Sequence, residues 1–91
     1  MLVTDTWVSM GREEDASALK ASLSRYRIDE ALIARSRPES IVLHCLPAVR
    51  GEEITPEIMY GPRSAIWQEA ENRLHVQKAL LQRLLAAHPT A

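Results

Sequence analysis

The chain has 91 residues, enough for one domain, and at this size only about 60–70% of the unfolded surface is buried, so the core is thin. With 46% apolar and 25% charged residues the composition is globular rather than disordered, and a net charge of −1, from 11 basic and 12 acidic residues intermixed along the chain, argues against a nucleic-acid or acidic-lipid partner. A single cysteine excludes an internal disulfide, no window approaches the roughly 20 apolar residues of a membrane helix, and the N-terminus lacks the basic-then-apolar layout of a signal peptide, so a cytoplasmic location is the expectation.

Leu2 to Val8 reads as a strand, rich in β-branched residues and broken by Ser9-Met10-Gly11. From Arg12 a helix is expected: Glu13, Glu14 and Asp15 sit at its positive end, and Ala16, Leu19 and Leu23 recur at i, i+3 and i+7. A second short helix, Asp29 to Arg35, gathers Ile28, Leu32 and Ile33 on one side and stops before Pro38. Ile41 to Leu46 is the next strand, its apolar run suited to a buried parallel position, and Pro47 ends it.

Thr55-Pro56-Glu57 is a capping residue followed by proline at the first helical position, giving a helical turn that Gly61-Pro62 closes. Ser64 to Trp67 is expected as a third, short strand. Gln68 to about Ala87 is then a long helix with Leu74, Leu81, Leu84 and Leu85 on one broad face, finished by His88-Pro89. Strands alternating with helices predict an α/β fold with a parallel sheet and right-handed crossovers.

Polar and reactive residues gather where the strands end, which is where open α/β sheets bind ligands. Cys45 is the last residue but one before the strand-breaking Pro47, so its side chain can reach a crevice, although a lone cysteine is more often a small core hydrophobe. Successive strand side chains point to opposite faces, so a Cys45–His44 dyad or a shared zinc site is not expected. Asp5 and Ser9 satisfy turns or caps on the plain reading, with Ser9 a cap for the helix near Arg12. On the functional reading, a helix N-terminus attracts an amino acid's α-carboxylate while Asp5 holds its α-ammonium. Arg73 would ordinarily be a solvated charge, with Glu69 spaced as its i, i+4 partner, and Arg50, Glu52 and Glu53 a charged loop.

Three motifs in order, Thr4-Asp5-Thr6-Trp7-Val8-Ser9-Met10-Gly11, His44-Cys45-Leu46-Pro47 with Arg50-Gly51-Glu52-Glu53 behind it, and Glu71-Asn72-Arg73-Leu74, resemble the ornithine carbamoyltransferase family. The resemblance covers nearly the whole chain and points to the C-terminal part of that family's ornithine-binding domain, residues 1–91 here. It implies a partial three-layer, Rossmann-like parallel sheet with flanking helices and a long C-terminal helix. The strand-like start directly after Met1 adds to the expectation of a truncated form.

What the resemblance implies is transfer of a carbamoyl group from carbamoyl phosphate to the δ-amine of L-ornithine, giving citrulline and phosphate, with no cofactor or metal. Cys45 and Asp5 would contact the ornithine amines, Ser9 with Met10 would hold the amino-acid end, the carbonyls near Cys45 and Leu46 would receive the carbamoyl NH2, and Arg73 would stabilise the developing oxyanion. The catalytic candidates are thus Cys45 and Arg73, and the substrate-binding candidates Asp5, Ser9, Met10, Cys45, Leu46 and Arg73. Val49 stands where the family commonly has histidine, and the family's Ser-Thr-Arg-Thr loop and His-Pro-x-Gln motif, from its N-terminal carbamoyl phosphate domain, appear nowhere here. The chain alone is therefore expected to be inactive, and the family's trimer contacts lie largely in that other domain. Aspartate carbamoyltransferases resemble His-Pro-Leu-Pro at the tetrad and lack the Ser-Met-Gly turn, which favours ornithine. The competing readings are a noncatalytic remnant or interaction module, with the apolar helix face as its docking surface, and a cysteine-dependent enzyme with an alkylation-prone, low-pKa Cys45.

Overall fold

A computed structural model describes residues 1–9 and 11–87. Two three-residue strands, β1 (Leu2–Thr4) and β2 (Val42–His44), pair in parallel with Leu2 opposite Val42 and Thr4 opposite His44. Between them run a 3-10 turn (Glu13–Asp15), helix α1 (Ala16–Leu23), a second 3-10 turn (Ser24–Tyr26) and helix α2 (Glu30–Ala34). After β2 come α3 (Pro56–Met59) and α4 (Ile66–Ala87).

Both strands are shorter than their apolar runs. The expected strand to Val8 stops at Thr4 because Asp5 Oδ1 accepts from Thr6 N–H at 2.7 Å, turning the backbone out of the ladder. The strand expected to Leu46 stops at His44 for a similar reason: Leu46 N–H bonds to His44 Nδ1 at 2.8 Å, Leu46 takes a φ of +56°, and Pro47 has no N–H to offer.

The third strand expected at Ser64–Trp67 is not formed. Ser64 makes a single parallel rung on β2, with Val42 N–H donating to Arg63 O at 2.8 Å and Ala65 N–H to Val42 O at 2.9 Å. Ala65 O then accepts from Glu69 N–H at 2.9 Å, so α4 begins two residues earlier than the sequence suggested. The Gln68-Glu69-Ala70-Glu71 run favours helix strongly enough to carry Ile66 and Trp67 with it.

Helix α2 starts as expected, with Asp29 in extended conformation and its carboxylate accepting from Leu32 N–H at 2.9 Å, a cap worth about 1 kcal/mol. Pro56 opens α3, and Gly61 closes it where a Cβ would lie 2.5 Å from Glu57 O. The core is small: Ile28, Ile33, Val42, Ile54, Ile58, Met59 and Ile66, flanked by Leu2, Leu32, Leu46 and Ala48. Ile28 bridges Ile54, which ties the segment before α2 to the loop after β2.

Only the first turn of α4 joins this core. The rest projects, which raises the radius of gyration to 17.2 Å against about 12 Å for a compact chain of this length. Val76, Leu80, Leu81, Leu84 and Leu85 are all exposed along it.

Candidate functional site

Parallel pairing brings the C-terminal ends of β1 and β2 side by side, and the next residue of each strand is a candidate: Asp5 and Cys45. The Cys45 thiol donates to Asp5 Oδ1 at 3.1 Å. That oxygen also accepts from the Thr6 N–H and, at 3.3 Å, from the Thr6 hydroxyl.

These bonds, the thiol's first, hold the Asp5 carboxyl below the usual carboxylate range. In return the bond to Asp5, then partial burial and the carboxylate's charge, push the Cys45 thiol up. At neutral pH the pair is a carboxylate beside a protonated thiol. This is the reverse of the low-pKa cysteine that a cysteine-dependent enzyme needs.

As the strand alternation predicts, His44 and Cys45 face opposite ways, the histidine buried and the cysteine exposed. His44 Nε2 lies 2.7 Å from Glu53 Oε1, and its backbone N–H donates to Glu69 Oε2 at 2.9 Å. Glu69 is therefore the clamp that fixes the first turn of α4 to the end of β2, not the i, i+4 partner of Arg73.

With α4 fixed there, Arg73, Asn72 and Val76 line an open groove of about 450 Å³ together with Cys45. Arg73 is exposed and forms no ion pair among the described residues. A cation in the groove that the thiol also lines can receive a developing negative charge, while the carboxylate bonded to that thiol can receive an ammonium group.

Ser9 is exposed and lines a separate groove of about 400 Å³ with Thr6, Val8, Pro47 and Val49. Its carbonyl, not its hydroxyl, receives the Arg12 N–H, at 3.2 Å, and α1 begins only at Ala16. Among the described residues the cap expected of the Ser9 side chain is not made. Met10 lies outside the described residues. Leu46 is half-buried against the core, its N–H held by His44.

The charged-loop reading of Arg50, Glu52 and Glu53 holds at the first and fails at the third. Arg50 contacts the Tyr60 hydroxyl at 3.4 Å on the surface, and Glu52 pairs with Lys20. Glu53 is fully buried, its Oε1 also accepting from Val49 N–H at 2.7 Å. The alternation that makes Val42 a core residue also turns His44 inward, and a buried histidine needs a partner. Nothing in the sequence distinguishes Glu53 from Glu52 as that partner. Among the described residues His75 pairs with Glu71 on its own helix alone, and His88 lies outside them. Among the described residues no three His, Cys, Asp or Glu side chains are placed to hold a metal ion, and no helix is long and apolar enough to cross a membrane.

An acid and a thiol thus lie at adjacent strand ends of a parallel α/β protein, and the thiol shares a groove with a cation of the long helix. The family model for the aspartate/ornithine carbamoyltransferase Asp/Orn binding domain matches residues 1–84. Ornithine carbamoyltransferase from Methanoculleus marisnigri is 56% identical over 86 residues, which are 94% of this chain and 28% of that protein. The crystal structure of anabolic ornithine carbamoyltransferase from Campylobacter jejuni superposes with a TM-score of 0.83 at 42% identity, over 94% of this chain and 28% of the other. That from Pyrococcus furiosus superposes with a TM-score of 0.79 at 42% identity, over 87% and 25%. The chain belongs to the aspartate/ornithine carbamoyltransferase family, within its Asp/Orn binding domain. It spans little more than a quarter of the length of these relatives.

Proposed function

We propose that residues 1–91 are the C-terminal part of an ornithine-binding domain and supply the ornithine half of an ornithine carbamoyltransferase site, acting in the cytoplasm. The observation that carries the reading is the Asp5–Cys45 hydrogen bond opening onto the groove that Arg73 lines. An alkyl amine such as ornithine's δ-group has a pKa of about 10 and must lose a proton before attacking a carbonyl. Asp5, ionised and exposed, attracts the ammonium form and passes its proton on to solvent, and the neighbouring thiol directs the nitrogen without adding a second negative charge.

Attack on the carbamoyl carbon of carbamoyl phosphate gives a tetrahedral centre whose oxygen becomes anionic, and collapse of that centre breaks the C–O bond to phosphate, which leaves with a proton from the attacking nitrogen. Arg73 is the donor for that charge, a contribution typically worth about 3 kcal/mol. The Leu46 carbonyl, displaced from the ladder by the residue's left-handed backbone, is the acceptor for the carbamoyl NH2. Ser9 and Met10 hold the amino-acid end of ornithine. The phosphate cradle and the trimer contacts come from an N-terminal domain, and the exposed apolar stripe of α4 is the surface that domain covers.

The test is citrulline formation from carbamoyl phosphate and L-ornithine. The chain alone is expected to form none. A chimera in which it replaces the corresponding segment of the Campylobacter jejuni enzyme is expected to work at a rate near that enzyme's own. A folded chimera that binds carbamoyl phosphate and makes no citrulline contradicts the proposal and favours a noncatalytic remnant.

A further inference from the structure

We infer that His44 and Glu53 are a positioning pair, whose task is to hold the Cys45–Val49 backbone in the shape that ornithine requires. The inference rests on the reading of this edge as the ornithine site, and goes beyond it by assigning a role to His44, which lines the Arg73 groove while both its ring nitrogens are turned to other partners, and to Glu53, which lines neither groove.

Three hydrogen bonds carry it. Leu46 N–H donates to His44 Nδ1 at 2.8 Å, His44 Nε2 lies 2.7 Å from Glu53 Oε1, and Val49 N–H donates to the same Oε1 at 2.7 Å. Because Nδ1 accepts from an amide, the ring proton resides on Nε2 and is donated to the carboxylate. The pair thus grips the loop at two points, on either side of Pro47, and leaves Cys45 and the Leu46 carbonyl between a fixed strand and a fixed amide.

Glu53 is itself anchored from behind, since its carbonyl receives Ile28 N–H at 2.9 Å and Ile54 beside it lies in the core. Both side chains are buried, 1% exposed for His44 and 0% for Glu53. Glu53 Oε2 has no partner among the described residues. A buried histidine–carboxylate pair with an orphaned oxygen is poorer for stability than two apolar side chains of similar size. Its use is geometric: the backbone here has left the sheet, and two of its amides would otherwise have no fixed acceptor.

His44 does not act as a proton relay for the thiol in this arrangement. Its two ring nitrogens are committed to Leu46 and Glu53, and the thiol proton is committed to Asp5 on the other face of the strand.

The experiment uses the unmodified 15N-labelled chain and two variants. In the unmodified chain the His44 ring signals should report the Nε2–H tautomer, and the Leu46 and Val49 amides should exchange slowly with solvent. The double variant His44→Leu/Glu53→Leu removes both partners together, so no buried charge is stranded; it should keep dispersed signals from α2 and β2 while L-ornithine binds roughly ten- to hundredfold more weakly. Glu53→Gln retains an acceptor at Oε1 and should stay within about threefold of the unmodified chain. An Nδ1–H tautomer, or unprotected Leu46 and Val49 amides, overturns the inference without reference to ornithine, as does a folded double variant with unchanged affinity. If Glu53→Gln loses as much affinity as the double variant, charge rather than positioning is at work, and the inference again fails. A chain that shows the expected tautomer and protected amides but binds no ornithine contradicts the proposed function instead.

Discussion

The Cys45 thiol donates a hydrogen bond to Asp5 Oδ1 across 40 positions of sequence, and the contact exists because β1 and β2 pair in parallel and end together. It sets both protonation states. Replacing Asp5 with alanine removes the largest cause of the thiol's raised pKa, so Cys45 should alkylate a few-fold faster at mildly alkaline pH. The check is the pH profile of iodoacetamide labelling in the two chains. A profile unmoved by the substitution would detach the thiol from the acid.

The same pair contributes to the pH dependence of folding at both ends. The raised thiol pKa stabilises the fold below the ordinary thiol value and loses that contribution as pH rises through the raised one. The lowered carboxyl pKa stabilises it above the ordinary carboxylate value and loses the contribution as pH falls through the lowered one. Urea unfolding of Asp5→Ala against the unmodified chain should therefore differ most on the plateau between the two and converge at the acidic and alkaline edges. Exposure of both groups keeps the difference small.

Glu69 fixes α4 to the sheet through the backbone of His44. Glu69→Ala leaves that amide unpaired and should cost about 1.5–3 kcal/mol, the range for a hydrogen bond to a charged group. Urea unfolding measures the loss. Gln in its place keeps an acceptor and should recover most of the stability.

Much of this arrangement can be read from the residues, for reasons that are local. Asp29 and Pro56 mark helix starts by chemistry that does not depend on the rest of the chain, and both helices start there. The opposition of His44 and Cys45 follows from strand alternation alone. The failures are non-local. Ser64 to Trp67 has strand-forming residues, but the helical run after Trp67 and the single rung on Val42 leave room for one bridge only. Glu69 looks like a helical partner for Arg73 because i, i+4 spacing is visible in sequence, whereas an amide 25 positions away is not. Glu53 reads as solvated for the same reason: its burial depends on Ile28 crossing the loop behind it.

Arg73 is exposed and unpaired among the described residues, so Arg73→Ala should change stability by no more than about 0.5 kcal/mol. In the active chimera the same substitution should lower turnover by about 10²–10³, since only the transition state needs the cation. Calorimetry and citrulline assays together separate the two effects. Equal losses in stability and rate would make Arg73 a structural residue.

Gly61 closes α3 against the backbone of Glu57, at a distance no side chain tolerates. Gly61→Ala should therefore displace the α3 terminus and destabilise the chain by about 1–3 kcal/mol, seen as a lower midpoint in thermal unfolding. An unchanged midpoint would mean that the turn is free to shift.

A prebuilt ornithine half-site at the ends of β1 and β2 should answer to L-ornithine titrated into the isotope-labelled chain, followed by backbone amide signals with Asp5→Ala in parallel. Saturable shifts are expected at Asp5, Ser9, Cys45 and Leu46, and they should vanish in the variant. Signals that stay in place in the unmodified chain, or that move equally in both, would contradict it.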